Sequence, residues 1–460
     1  MQDGAPRSLP PGKPRAPGGH NKGASNPETA MTQRIVCGLV SCLVLAGFAR
    51  AQTESAAAPS TPSSPAMQTD QPAEQPSPGI GMMQHDADPA TAPLCEAAAG
   101  DDNRFWFDAQ ALLWWVKAQH VPALVSTSPV GTPQATAGVL GTSTGSILYG
   151  DREVNGGLRT GGDFEIGYWI DAQHRFALTA SCFFVSDRDA GFGAASNGNP
   201  ILARPFIDAT TGAQSALLVA FPGVLNNAAM SVSTSSRDIL NAEVGGEQVL
   251  VGPAGTRYVA MFGYRYFQTD ETLEIDQRST AVASTNPYSV PVGSTVAISD
   301  LFKTRNNFNG GNFALRIERS QGNVDVSVLA ELGVGFMHEV ADILGVTQTA
   351  APGAAPVTTT GGFLALPTNI ARFNRDEVAL IPEFGCTIGY RLNDSWRVFG
   401  GYTFLYVSRL LRAPDQVDVT VNTTQLPPTN ALSGAARPAF TFNVTDLWMQ
   451  GINLGVEFRY

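Results

Sequence analysis

Ten segments between Phe105 and Tyr460 alternate apolar and polar residues, and the last of them, GINLGVEFRY, keeps the alternation to the final residue. Ile452, Leu454, Val456, Phe458 and Tyr460 form one row; Gly451, Asn453, Gly455, Glu457 and Arg459 form the other. A period of two marks a strand with two unlike faces. In a soluble sheet the apolar face packs on a core. In a membrane barrel it meets lipid, the polar face lines the lumen, and about ten residues cross the bilayer. A single strand is compatible with both.

The other nine segments are FWFDAQALLWWVK (105–117), LRTGGDFEIGYWID (158–171), FALTASCFFVS (176–186), SVSTSSRDILNAEVGG (231–246), RYVAMFGYRYFQTD (257–270), NGGNFALRIERS (309–320), VDVSVLAELGVGFMHE (324–339), VALIPEFGCTIGYRL (378–392) and SWRVFGGYTFLYVS (395–408). Many are longer than the five or six residues, roughly, of an ordinary globular strand. Their connections decide the architecture. AQHR, EQVLVGPAGT, QGN and NDS are short and rich in turn formers, whereas 120–157, 187–230, 271–308, 340–377 and 409–448 are long. Short and long joins alternate through the whole domain, as in a barrel with periplasmic turns at one end and extracellular loops at the other. The pattern predicts an all-β fold: one antiparallel transmembrane β-barrel of ten strands, or twelve if 120–157 or 409–448 hides a hairpin. Trp114, Trp115, Tyr168, Trp169, Tyr402, Phe404, Tyr406 and Trp448 fall near strand ends, where aromatic girdles belong.

The N-terminal part adds a route of export. Ile35–Ala49 is an apolar run of signal-peptide length, preceded by Arg34 and followed by Ala49-Arg50-Ala51, a small-residue cleavage pattern. Residues 1–30 then read as an upstream extension before Met31, 31–51 as the signal, 52–103 as a disordered Ala/Pro/Ser-rich tether, and 104–460 as the barrel. A lipoprotein signal ending at Cys42 competes, but the apolar run continues past that cysteine. Cleavage after Ala51 removes six basic and two acidic residues and leaves a formal charge of −15. An acidic exterior argues against nucleic acid as a partner. Cys37 and Cys42 leave with the signal; Cys95, Cys182 and Cys386 are too scattered for a disulfide framework or a metal site.

Chemistry is sparse. The polar rows place Arg159, Asp163, Glu165, Arg257, Arg265, Arg316, Glu318, Glu331, Glu383 and Arg391 in the lumen, five of each sign. A barrel this narrow is expected to be plugged by an ion-pair network or to leave a small pore. No cofactor, metal or nucleophile motif is evident. The Met82-Met83-Gln84-His85 patch lacks further ligands. His120 and His338, with Asp187, Asp189, Asp270 and Glu271, fall near the extracellular rim, and His174 falls in a turn. LARPFID (202–208) and LVAFPG (218–223) are apolar for exposed segments and are expected to cover the mouth or to dock on each other.

LLWWVK (112–117), LVSTSP (124–129), GVLGTSTGSILYGDREVNGGLRTGGDFEIGYWID (138–171), GNPILARPFID (198–208), LVAFPG (218–223), GYRYFQTDETLEI (263–275) and VALIPEFGCTIGYRLNDSWRVFGGYTFLYVSRLLRAPDQVD (378–418) resemble a bacterial family described as putative β-barrel porins. The resemblance spans about 105–460. It implies a barrel in an outer membrane and brings no catalytic residues. The expected function is structural or that of a narrow passive pore for small solutes. A surface receptor or adhesin using the long loops is the alternative, and an outer membrane hydrolase with rim His and Asp groups the third. The expected partners are outer membrane lipid and a barrel-assembly machinery engaging the C-terminal strand.

Overall fold

The computed structural model describes residues 104–460 apart from Ala254 and 427–430. Residues 1–30, 31–51 and 52–103, with Cys37, Cys42, Cys95 and the Met82–His85 patch, lie outside the described residues.

The ten alternating segments become ten wall strands: β1 (Phe105–Val116), β2 (Gly157–Trp169), β3 (Phe176–Val185), β4 (Leu225–Val251), β5 (Thr256–Ala281), β6 (Thr295–Gln321), β7 (Val324–Ala350), β8 (Ala371–Arg391), β9 (Trp396–Leu411) and β10 (Val444–Arg459). Each pairs antiparallel with the next. The ring closes where β10 pairs β1, from Trp106 opposite Arg459 to Val116 opposite Met449. Closure is what removes the two edges of unpaired backbone that an open sheet would present to lipid.

Parity assigns the faces. On β7 every second residue from Val324 to Phe336 points outward and is exposed, and all seven are apolar. The C-terminal row behaves alike: Ile452, Leu454, Val456 and Tyr460 are exposed on the outer face and Phe458 is half-buried beside Trp396. Cys386 lies in such a row and is exposed, whereas Cys182 is buried. Trp114 and Trp169 depart from the girdle expected of them. Both occupy inward positions, because their neighbours Trp115 and Tyr168 take the outward ones.

Four strands are longer than the pattern suggests. β4, β6 and β7 run for 27 residues and β5 for 26. The joins expected at 271–308 and 340–377 are therefore largely strand, leaving only 282–294 and 351–370 as connections. The physical reason is a reversal of faces. Beyond the apolar belt the outer face meets water, so Glu274 and Arg278 point out while Leu273 and Ile275 point in and are buried. A bulge between Arg237 and Leu240, with Asp238 at φ +53°, lets β4 reset its register at this boundary.

Above the barrel these extensions form one layer of a packed head. The facing layer is a hairpin of Leu202–Asp208 and Gln214–Ala220, joined by Val125–Thr127 and Ser146–Tyr149. LARPFID and LVAFPG thus do dock on each other: Ala203 sits opposite Leu218. The extra strands in 120–157 belong to this head and to a small Gln119–Val121/Arg152–Val154 ladder, not to the wall. Between the layers lies an apolar core that includes Leu202, Phe206, Val219, Leu273, Phe302 and Phe363.

Polar groups inside that core are held by specific partners. Asp300 accepts three backbone N–H groups, from Phe363, Leu364 and Ala365, at 2.8–3.0 Å. Its second oxygen lies 2.7 Å from the Arg204 guanidinium, which also rests over the Phe363 ring. The Tyr288 hydroxyl donates to the Leu218 carbonyl and accepts from Gln277. Burial pushes the Tyr288 phenol up to about 12. Because the folded value exceeds the ordinary value of 10, this group's stabilisation is complete below pH 10 and is lost as pH rises toward 12. Tyr288→Phe is expected to lower head stability by about 1 kcal/mol and to remove that alkaline loss. Unfolding followed between pH 9 and 12 checks both.

Candidate functional site

The inward rows divide the lumen into two zones. The zone toward the short turns is a charged cavity of about 330 Å³. Near its mouth Arg397 bridges Asp325 and Glu457 at 3.0 Å, and Arg316 pairs with Glu247 at 3.0 Å and Glu318 at 2.8 Å. Arg257 and Arg459 at the opening are partly exposed, whereas the groups at the inner end are buried.

At the inner end stands Arg265, with no solvent exposure. Its three guanidinium nitrogens reach Glu243 at 3.3 Å, Glu331 at 2.6 Å and Glu383 at 2.7 Å, and it also donates to Asn241 at 2.8 Å. Asn312 donates to Glu243 and Glu331 at 2.6 and 3.1 Å. Room for so large a side chain comes from glycine. A Cβ on Gly333 would stand 3.3 Å from the Arg265 Cδ. The three carboxylates offer oxygens within 4.8 Å of one another, a spacing suited to a cation. The Arg265 guanidinium is the cation they share.

All ten residues read from the sequence as lumen-facing occupy inward positions, and most line the cavity. Asp163 accepts from Gln110, Glu165 from the Trp106 indole, and Arg391 reaches the Gly322 carbonyl at the turn. Arg159 stands apart: it lies at the other end of β2 and donates to the Asn155 carbonyl at 2.5 Å. The balance of charge differs from the even split of that reading. Asp108, Glu243, Glu247, Asp325 and Glu457 also face the cavity, against Arg397 and Arg459, so carboxylates outnumber guanidiniums about two to one among its lining residues. The odd-numbered row of 231–246 already contains Glu243, and Glu247 continues that row one residue past its end.

The second zone is apolar. Directly beyond Arg265, inward residues from nine of the ten strands form one apolar layer of sixteen buried side chains. Phe267, Phe308, Met337, Ile381 and Leu405 within it have no exposure, and Trp114 donates its indole N–H to Asn453 at 2.7 Å beneath it. The chain leaving β9 adds a strap. Leu411 and Ala413 turn into the mouth and are fully buried. Asn306 clamps the Leu411 backbone with two hydrogen bonds, 2.7 and 2.9 Å. Arg412 crosses to Glu271 at 2.7 Å, both almost fully buried. Over the strap sits the head. Three buried features succeed one another along the lumen: the apolar layer, the strap and the head core.

The rim residues are engaged elsewhere. Asp189 pairs with Arg237, Asp270 with Arg305, and Glu271 points inward to Arg412. His338 bonds Asp376 at 2.7 Å on the outer face, His120 lies 3.8 Å from both Asp151 and Glu153, and His174 stacks on Trp169 at the short-turn end.

A closed, ten-stranded, up-and-down antiparallel barrel with an apolar outer belt and a charged interior defines the class: a transmembrane β-barrel. Solved barrels show similarity at low identity. The Escherichia coli outer membrane protease OmpT is 7% identical, with 79% of this chain and 98% of that chain covered at a TM-score of 0.35. The translocator domain of the autotransporter NalP from Neisseria meningitidis is 9% identical, covering 78% and 91% at 0.20. The P. putida toluene transporter TodX is 9% identical, covering 77% and 89% at 0.19. No curated protein matches the chain. The family model described as Putative beta barrel porin-7 (BBP7) matches residues 106–460, and the chain belongs to that family.

Proposed function

We propose that the protein is an outer membrane barrel with a closed conduit: a vestibule open to the periplasm and an outer half sealed against water. The apolar layer of sixteen buried side chains carries this reading, since an apolar constriction excludes water and ions. The short turns face the periplasm and the head faces outward, as in barrels of this kind. The belt, with Ile452, Leu454, Val456, Phe458 and Tyr460 on its closing strand, meets lipid, and the same strand is what a barrel-assembly machinery engages. The acidic vestibule favours small cationic solutes over anionic ones.

Planar-bilayer recording tests this. The native protein is expected to carry no steady current. A steady current through the native protein overturns the closed conduit. A surface receptor is the second reading, supported by the head's separate core. It expects a binding activity that disappears when the head is trimmed by protease while the barrel still shows heat-modifiable migration.

A further inference from the structure

The wall has a break between β8 and β9. β8 and β9 pair from Arg391 opposite Arg397 only as far as Glu383 opposite Leu405. Both strands continue well past that point, β8 paired with β7 up to Ala371 and β9 paired with β10 up to Leu411. They do so without a ladder between them. The cause is legible in VALIPEF: the strand edge turned toward β9 needs an N–H at position 382, and Pro382 has none. Two residues further, the Leu380 N–H is answered by the Ser408 hydroxyl at 2.9 Å, and one ion pair, Glu377–Arg409 at 3.0 Å, ties the edges.

Position makes this break unusual. Toward the head, Phe440 stacks on Phe373 at 3.9 Å and Phe442 lies under Arg375, so residues 440–442 cover the free edge. Between 377 and 382 nothing comparable does among the described residues, and here Val378 and Leu380 stand exposed in the apolar belt beside Phe336 and Val334. Unpaired backbone facing lipid costs several kcal/mol per group, roughly. Immediately behind the break lie Ala379, Ile381, Leu405 and Val407, all members of the apolar layer.

We propose that this seam is a lateral portal, through which an uncharged apolar molecule passes between the bilayer and the apolar layer inside the barrel. The proposal rests on the closed axial route and names its cargo. A sealed axis leaves the wall as the way in, and the groups on both sides of the seam are aliphatic. A hydroxyl and a half-exposed ion pair stand here in place of a ladder.

The test uses the full protein in lipid vesicles and an uncharged aromatic diazirine dissolved in the bilayer. After photolysis, label is expected on the inward-facing Ile381, Leu405 and Met337 as well as on the lipid-facing Val378. In a cysteine-free background, Leu380→Cys with Ser408→Cys places thiols where the ladder would have paired them. Oxidation is expected to abolish the inner labelling, reduction to restore it, and labelling of Val378 to stay constant. Heat-modifiable migration of each variant verifies the closed barrel. Label confined to outward positions overturns the portal and leaves the closed axis standing. Inner label that persists in the oxidised variant, together with ion current, overturns both, since the molecule then enters along the axis.

Discussion

Replacing Arg265 by leucine is expected to prevent the barrel from reaching its compact form. The substitution keeps the volume near the lumen axis but strands Glu243, Glu331 and Glu383 around a cationless centre, with the Asn241 amide oxygen unpaired. Removing one partner of a buried ion pair costs about 3–5 kcal/mol, and here three carboxylates lose the same partner. Arg265→Leu should therefore migrate alike before and after boiling. Adding Glu331→Gln and Glu383→Gln in the same chain should restore faster migration of the unboiled sample, because the repulsion is then gone. Full heat-modifiable migration of the single variant would show that the carboxylates do not depend on this guanidinium.

Asp300→Ala should disable the head and spare the barrel. One oxygen of Asp300 holds three successive backbone N–H groups of 363–365, and the other faces the buried Arg204. Alanine leaves three donors without an acceptor inside an apolar core and the Arg204 guanidinium with only the Gln277 amide oxygen at 3.4 Å, a loss of about 3–5 kcal/mol. Rapid hydrogen exchange at Phe363, Leu364 and Ala365 and new protease cleavage within 202–220 are expected, with heat-modifiable migration unchanged. Asp300→Asn keeps an acceptor for the N–H groups and should fall between native and alanine. Equal exchange in native and alanine proteins would sink this account of the head.

The wall was legible in the sequence because the lipid-facing rows are nearly pure. Every outward residue from Val324 to Phe336 is apolar, with Leu329 the one apolar residue in the facing row, and every outward residue from Ile452 to Tyr460 is apolar too. Parity then fixed the inward residues, including Arg265 and its partners Glu331 and Glu383. The head was less legible for a physical reason. Past the belt both environments exchange faces, so LEID in β5 presents leucine and isoleucine inward where the same pattern lower down presents them outward. A reading that expects apolar residues outside ends the strand there. The strap was hidden by distance, since Arg412 meets Glu271 across 141 residues. Register was hidden too. Pro382 looks like an ordinary interruption in VALIPEF until the neighbour whose ladder it halts is known.

The four long strands from β4 to β7 stand side by side and occupy one sector of the ring, while β8 to β10 and β1 to β3 run for 10–21 residues. Treated as an elastic shell, the barrel is a stiff half-cylinder braced by a second layer and joined to a thinner, more compliant half. Strain imposed by the bilayer, through thickness or lateral tension, collects where stiffness changes. One such boundary is the junction of β7 and β8, a single strand away from the seam between β8 and β9, so the local membrane mechanics set how readily the ring gives way nearby.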